Sequence, residues 1–264
     1  MQYPGRLIKV GESDAAIVQA LKARLNRDPS FANDPKLRLD ESNPQFGPKM
    51  RQVIKLFQAR HVDSQGRPLK QDGEVGAITW AVLFGEQSVP QQGLSAYPLL
   101  NQLIQVAAGE EARRVREIPP DSNRGPDVER YLASVGLSGG YSWCCAFTYY
   151  CFKTAAGQLH RSNPMFQTGG CLRHWQMAEG QGAQRILAAD ARANPGLLQP
   201  GMLFIMDHGG GLGHTGIIES LLGGLLTTIE GNTDASRTRE GGGVYRLVRK
   251  VGEINKGYID YGPC

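Results

Sequence analysis

The chain has 264 residues, 41% of them hydrophobic, and Lys plus Arg exceed Asp plus Glu by 4. That length can bury a full core and accommodates two modest domains. The near balance of charge, with no basic run interleaved with aromatics, speaks against a nucleic-acid binder. No apolar stretch is long enough to cross a bilayer, since the most apolar, 217–229, is broken by Glu219, Ser220 and a glycine pair.

Residues 1–10 carry Pro4, Gly5, Arg6 and Lys9 where a Sec-type signal peptide needs an unbroken apolar run. Action outside the cytoplasm is therefore expected to need separate release or delivery. In 12–27, Ile17, Val18, Leu21 and Leu25 recur at helical spacing, with Ser13 or Asp14 as N-cap. Pro48 opens a second helix whose apolar face is Met50, Val53, Ile54 and Phe57. A third, 77–84, follows the turn Asp72-Gly73-Glu74-Val75-Gly76. Three helices in this span predict a small bundle over 1–87. A linker over 88–97, with Pro90 and Gly93, leads to a second domain over 98–264.

The second domain is predicted to open with a helix over 97–117, followed by helices at 128–135 and 144–156. Strands are predicted at 202–206, 214–220, 225–230, 244–250 and 256–259, separated by Gly-rich turns. Helices first and antiparallel strands afterwards make the fold class α+β.

Five cysteines, an odd number with Cys144 and Cys145 adjacent, read as reduced thiols rather than a disulfide framework. The segment Ser142-Trp143-Cys144-Cys145-Ala146-Phe147 follows Gly139-Gly140, so a loop feeds a helix near the cysteines, with Ser142 as the expected N-cap. A thiol at a helix N-terminus feels the positive end of the backbone dipole, which favours thiolate. Only one of two adjacent cysteines can take the exposed first-turn place, so Cys145 should turn toward the packing side.

A thiol nucleophile needs a base and an orienting group behind it. His214, at the start of a strand after Gly209-Gly210-Gly211, is the expected base, and Glu230 or Asn232 on the next strand can hold its second ring nitrogen. Taken singly, each residue has a plain alternative: a free cysteine is usually a small buried hydrophobe, and a histidine beside glycines a polar loop residue. Their order along the chain is what points to thiol catalysis. Zinc is disfavoured for Cys144, Cys145, Cys151, Cys171, His174, His208 and His214, because no Cys-x-x-Cys pair exists. Glu110 and Glu111, the acids considered for a glycosidase pair, are adjacent on a helix and read as a solvated face.

Two resemblances cover most of the chain. Phe46-Gly47, Val53-Ile54-Lys55-Leu56-Phe57-Gln58, Asp72-Gly73-Glu74-Val75-Gly76, Thr79-Trp80 and Leu83 resemble the three-helix peptidoglycan-binding domains. That resemblance implies anchoring to cell wall, although Phe57, Trp80 and Leu83 themselves read as core. Trp143-Cys144-Cys145-Ala146-Phe147, Gly201-Met202-Leu203-Phe204, Gly213-His214-Thr215-Gly216-Ile217 and Glu230-Gly231-Asn232 resemble the CHAP family of papain-like, NlpC-related cysteine- and histidine-dependent amidohydrolases and peptidases. This resemblance implies a papain-like domain with an antiparallel sheet against helices. It implies Cys144 as nucleophile, His214 as base, Glu230 as orienter and Asn232 as its helper, with no cofactor and no metal. A thiol at Cys145 departs from the small residue usual there.

The resulting expectation is hydrolysis of an amide bond in bacterial peptidoglycan, as an N-acetylmuramoyl-L-alanine amidase or a stem-peptide endopeptidase. The protein would act as a phage endolysin released through a holin, or as an antibacterial effector paired with a delivery apparatus and an immunity protein. The alternative is a non-catalytic wall-binding or structural protein with an inactive second domain.

Overall fold

A computed structural model of the chain describes residues 1–31, 34–237 and 241–264. It divides into two units: Met1–Gln91 with Arg192–Gly196 and Leu222–Gly224, and Gln92–Ala191 with Leu197–Leu221 and Leu225–Cys264.

In the first unit, α1 (Ala15–Asn26) starts at Asp14, whose carboxylate accepts from the Ala16 and Ile17 amides at 3.0 and 3.1 Å. Asp14, not Ser13, is the cap. Helix α2 (Pro48–Arg60) has Pro48 in its first turn, where a missing N–H costs nothing. Helix α3 is Ala77–Phe84. The periodic residues Val18, Leu21, Leu25, Ile54 and Phe57 meet Trp80 and Leu83 in one core, all at most 2% exposed. Phe57, Trp80 and Leu83 are thus core residues. Gln58 ties the preceding turn to α2: its Nε2 donates to the Glu74 carbonyl at 2.8 Å and its Oε1 accepts from the Gly73 amide at 2.8 Å. Gly73 is required there, because its φ is +73° and a Cβ would fall 2.6 Å from Arg51.

The second unit is α+β. Its helices are α4 (Pro98–Ala112), α5 (Pro126–Ser134), α6 (Cys144–Gln158) and α7 (Cys171–Met177). Helix α4 stops short of the expected 117: Arg114 takes a left-handed φ of 53°, and the chain then leaves to pair, with the Glu117 amide bonding the Gly242 carbonyl at 2.8 Å. Strand β1 (Gln184–Leu187) and α8 (Ala188–Ala193) follow. These two and α7 are elements the periodicity did not predict, being only four to seven residues long.

Strands β2 (Leu203–Gly209), β3 (Leu212–Leu222), β4 (Leu225–Thr233), β5 (Gly243–Lys250) and β6 (Gly257–Asp260) complete a six-stranded antiparallel sheet in the order β1-β6-β2-β3-β4-β5. Register places Leu203 opposite Ile217 and Met206 opposite His214. Period-two alternation sends Leu203, Ile205, Ile217 and Ile229 into a core shared with Phe147 and Phe152 of α6. Met202, Phe204, Ile218, Leu226 and Tyr258 join a second cluster. Among the described residues, no helix is long and apolar enough to cross a membrane.

Candidate active site

Helix α6 begins with Cys144 at its first position, after Trp143. The expected cap, Ser142, is displaced by one residue, because Trp143 is anchored: its indole is buried and donates to Glu117 Oε1 at 2.9 Å. The Trp143 carbonyl takes the first helical bond, from the Phe147 amide at 2.8 Å, and the Trp143 side chain makes no cap hydrogen bond. The first-turn amides, Cys144 included, thus have no acceptor within the helix. Gly231 allows β4 to approach this turn, since a Cβ would stand 2.7–2.8 Å from Phe147 and Trp143.

Cys144 is 3% exposed, and its thiol lies against the imidazole of His214, itself 2% exposed. His214 Nε2 is 2.7 Å from Glu230 Oε2, while Nδ1 has no hydrogen-bond partner. Glu230, fully buried, is gripped in turn by Arg249, whose Nε and Nη2 donate to its two oxygens at 2.6 Å each. Thr228 Oγ1 adds a donor to Glu230 Oε1 at 2.5 Å. Cys144, His214, Glu230 and Arg249 therefore form one buried row, fixed by α6 and three neighbouring strands.

The electrostatics follow from that row. Burial disfavours a charged His214, but the Cys144 thiol and the Glu230 carboxylate outweigh it and raise its pKa to about 9. Burial pushes the Glu230 carboxyl up, yet Arg249 and His214 hold it at about 2. The thiol of Cys144 is pushed well above its ordinary value by a hydrogen bond with Cys171 and by burial, while His214 pulls the other way. Cys171 stands at the start of α7, its Sγ 3.4 Å from that of Cys144.

The other predicted residues fall as follows. Cys145 is fully buried and its thiol donates to the Thr168 carbonyl at 3.3 Å, on the packing side of α6. Asn232 is fully buried at the end of β4, with a left-handed φ of 57°, and neither its Oδ1 nor its Nδ2 has a partner. Glu230, not Asn232, holds the imidazole. His174 is buried against Tyr261, 2.8 Å from its hydroxyl, and burial lowers its pKa to about 3, whereas His208 is exposed. Among the described residues, no group of three or more His, Cys, Asp or Glu is placed to hold a metal ion.

Sequence reasoning missed Arg249 and Cys171 as members of this neighbourhood. Signals for both existed. In β5, Arg249 shares the parity of buried Leu247, and a charge on an inward face demands a partner. Gly169-Gly170-Cys171 repeats the glycine-loop-to-helix pattern that marked Cys144.

A sheet with a helix-start thiol facing a strand-borne imidazole and carboxylate defines the class of domain. Residues 136–232 match the family model of the CHAP domain. That family is of the peptidoglycan hydrolase type, comprising amidases and peptidases. The matched span contains Cys144, His214, Glu230 and Asn232 and ends before Arg249. Comparisons with curated proteins and with solved structures find no match.

Proposed function

We propose that the second unit is a cysteine-dependent peptidoglycan amidase or endopeptidase, with Cys144 as nucleophile. The observation that carries this reading is the contact of a helix-start thiol with an imidazole whose other nitrogen is 2.7 Å from a buried carboxylate. The raised pKa of His214 favours its imidazolium form, so the proton given up by the Cys144 thiol is held on the ring as the thiolate's partner. The Cys144 sulfur then attacks the amide carbonyl carbon, and the developing oxyanion is met by backbone amides at the start of α6, that of Cys144 first. His214 returns its proton to the departing nitrogen, the C–N bond breaks and a thioester remains. Water, losing a proton to His214, attacks the thioester, and the carboxylic acid leaves as the thiol re-forms. Glu230, clamped by Arg249 and Thr228, fixes the ring tautomer and stabilises the imidazolium.

The first unit serves in this reading as a wall anchor, and the protein reaches its substrate as an endolysin or as a delivered antibacterial effector. The test is release of new amines from purified cell wall, followed by mass spectrometry of the products to name the bond. Cys144→Ala is expected to lose activity to background and Cys145→Ala to keep it. Activity in Cys144→Ala with loss in Cys145→Ala overturns the assignment, and activity in neither the wild type nor any variant favours an inactive wall-binding protein.

A further inference from the structure

The mechanism has no use for a second thiol, yet one lies 3.4 Å from the nucleophile. Cys171 is 6% exposed and Cys144 3%, and all five cysteines are free. The sulfurs are in contact without being bonded, and they must move closer to form a disulfide bond of about 2.0 Å. Cys171 sits at the first position of α7 and Cys144 at the first position of α6, so the meeting of the two helix starts brings the thiols together. Cys145 is the weaker partner for Cys144: consecutive helical positions point about 100° apart, and its thiol is engaged with Thr168.

We propose that Cys144 and Cys171 are a reversible oxidation site, in which Cys171 is the resolving thiol for an oxidised Cys144 and the disulfide switches the enzyme off. The oxidant class is a hydroperoxide, hydrogen peroxide being the simplest. The Cys144 thiolate attacks one peroxide oxygen, the O–O bond breaks, and Cys144 sulfenic acid and hydroxide form. The Cys171 sulfur then attacks the sulfenic sulfur; the S–S bond forms, the S–O bond breaks, and the leaving hydroxide takes the Cys171 proton as water. Two thiols and one peroxide thus give one disulfide and two waters. A dithiol reverses it by thiol–disulfide exchange. Because the bonded sulfur is the attacking atom, oxidation blocks catalysis outright, and Cys171 spares Cys144 from irreversible over-oxidation.

The consequence for activity rests on the function proposed above; the cross-link itself does not. Reduced full-length protein is treated with excess hydrogen peroxide, alkylated, and mapped by mass spectrometry without reduction, with wall hydrolysis assayed before and after dithiothreitol. The expected result is a Cys144–Cys171 linked peptide lighter by two hydrogens, with activity lost and then recovered. In Cys171→Ser the link is absent and dithiothreitol fails to restore activity, because Cys144 has gone to sulfinic acid. Cys171→Ala is run beside it in case serine disturbs this buried place. Wild-type Cys144 found over-oxidised or unlinked to Cys171, or full recovery in both Cys171 variants, overturns the proposal. A link formed in a protein inactive even when reduced upholds the thiol pair and overturns the hydrolase reading.

Discussion

Two buried amides, one in each unit, are treated in opposite ways. Gln58 has both ends satisfied by the backbone of the turn it supports. Asn232 has neither Oδ1 nor Nδ2 satisfied, although it is equally buried. A buried polar group left unpaired costs about 1–3 kcal/mol, so a satisfied amide is a structural fastener, while an unsatisfied one calls for a separate account, a functional role being one. The same contrast holds within the row at Cys144: Glu230 is saturated and His214 Nδ1 is open. Within that row the saturated Glu230 is the support, and Nδ1 of His214 is the ring atom left for the thiol proton in the proposed mechanism.

This contrast can be broken by substitution. Arg249→Met strands a buried carboxylate and is expected to cost about 3–5 kcal/mol of stability, read in denaturant melts; a cost under ~1 kcal/mol would show that Glu230 does not depend on the clamp. Glu230→Gln keeps the shape of the site but removes the charge behind the imidazole, and activity should fall about 100-fold or more, near 3 kcal/mol in transition-state terms, with kcat affected more than KM. Gln58→Leu leaves the Gly73 amide and the Glu74 carbonyl unpaired and should destabilise the first unit by about 1–3 kcal/mol, with wall hydrolysis by the second unit kept. Asn232→Gly, which keeps the left-handed backbone, should lower kcat about 10-fold with little change in melting temperature. A large loss of stability there would mean that Asn232 is a fastener after all.

Proton linkage offers a gentler probe. The His214 pKa is raised in the fold, from 6.5 to about 9, so its stabilisation is complete below pH 6.5 and is lost as pH rises through 9. The Glu230 pKa is depressed, from 4.5 to about 2, so its contribution is complete above pH 4.5 and is lost as pH falls through 2. Stability carried by this pair should therefore be level between pH 4.5 and 6.5 and decline on both sides, and Glu230→Gln should flatten the profile. For Cys144, whose thiol is pushed up first by Cys171, Cys171→Ala should move the acid limb of the activity profile to lower pH and speed alkylation of Cys144 at neutral pH. An unmoved limb would mean that the second thiol has no hold on the first.

Much of this was readable along the chain because it is local. Helical spacing located α1, α2 and α3, and alternation located β2 to β6, since both depend on which side of a short segment is apolar. Cys144 and His214 stood out because glycine loops precede a helix start and a strand start. Local pattern failed where pairing decides: α4 ends early because the chain after it pairs with the segment at Gly242, and β1 exists through its bonds to β6.

The sequence by itself determined the α+β class, the order of the chemistry-bearing residues and the thiol at a helix start, because periodicity and turn chemistry act within a few residues. Only the tertiary structure decided that Glu230 rather than Asn232 meets the imidazole, that Arg249 clamps Glu230, and that Cys171 touches Cys144. Those contacts join residues 16, 19 and 27 positions apart, and strand register and the meeting of two helix ends set them, neither of which has a signature in any one segment.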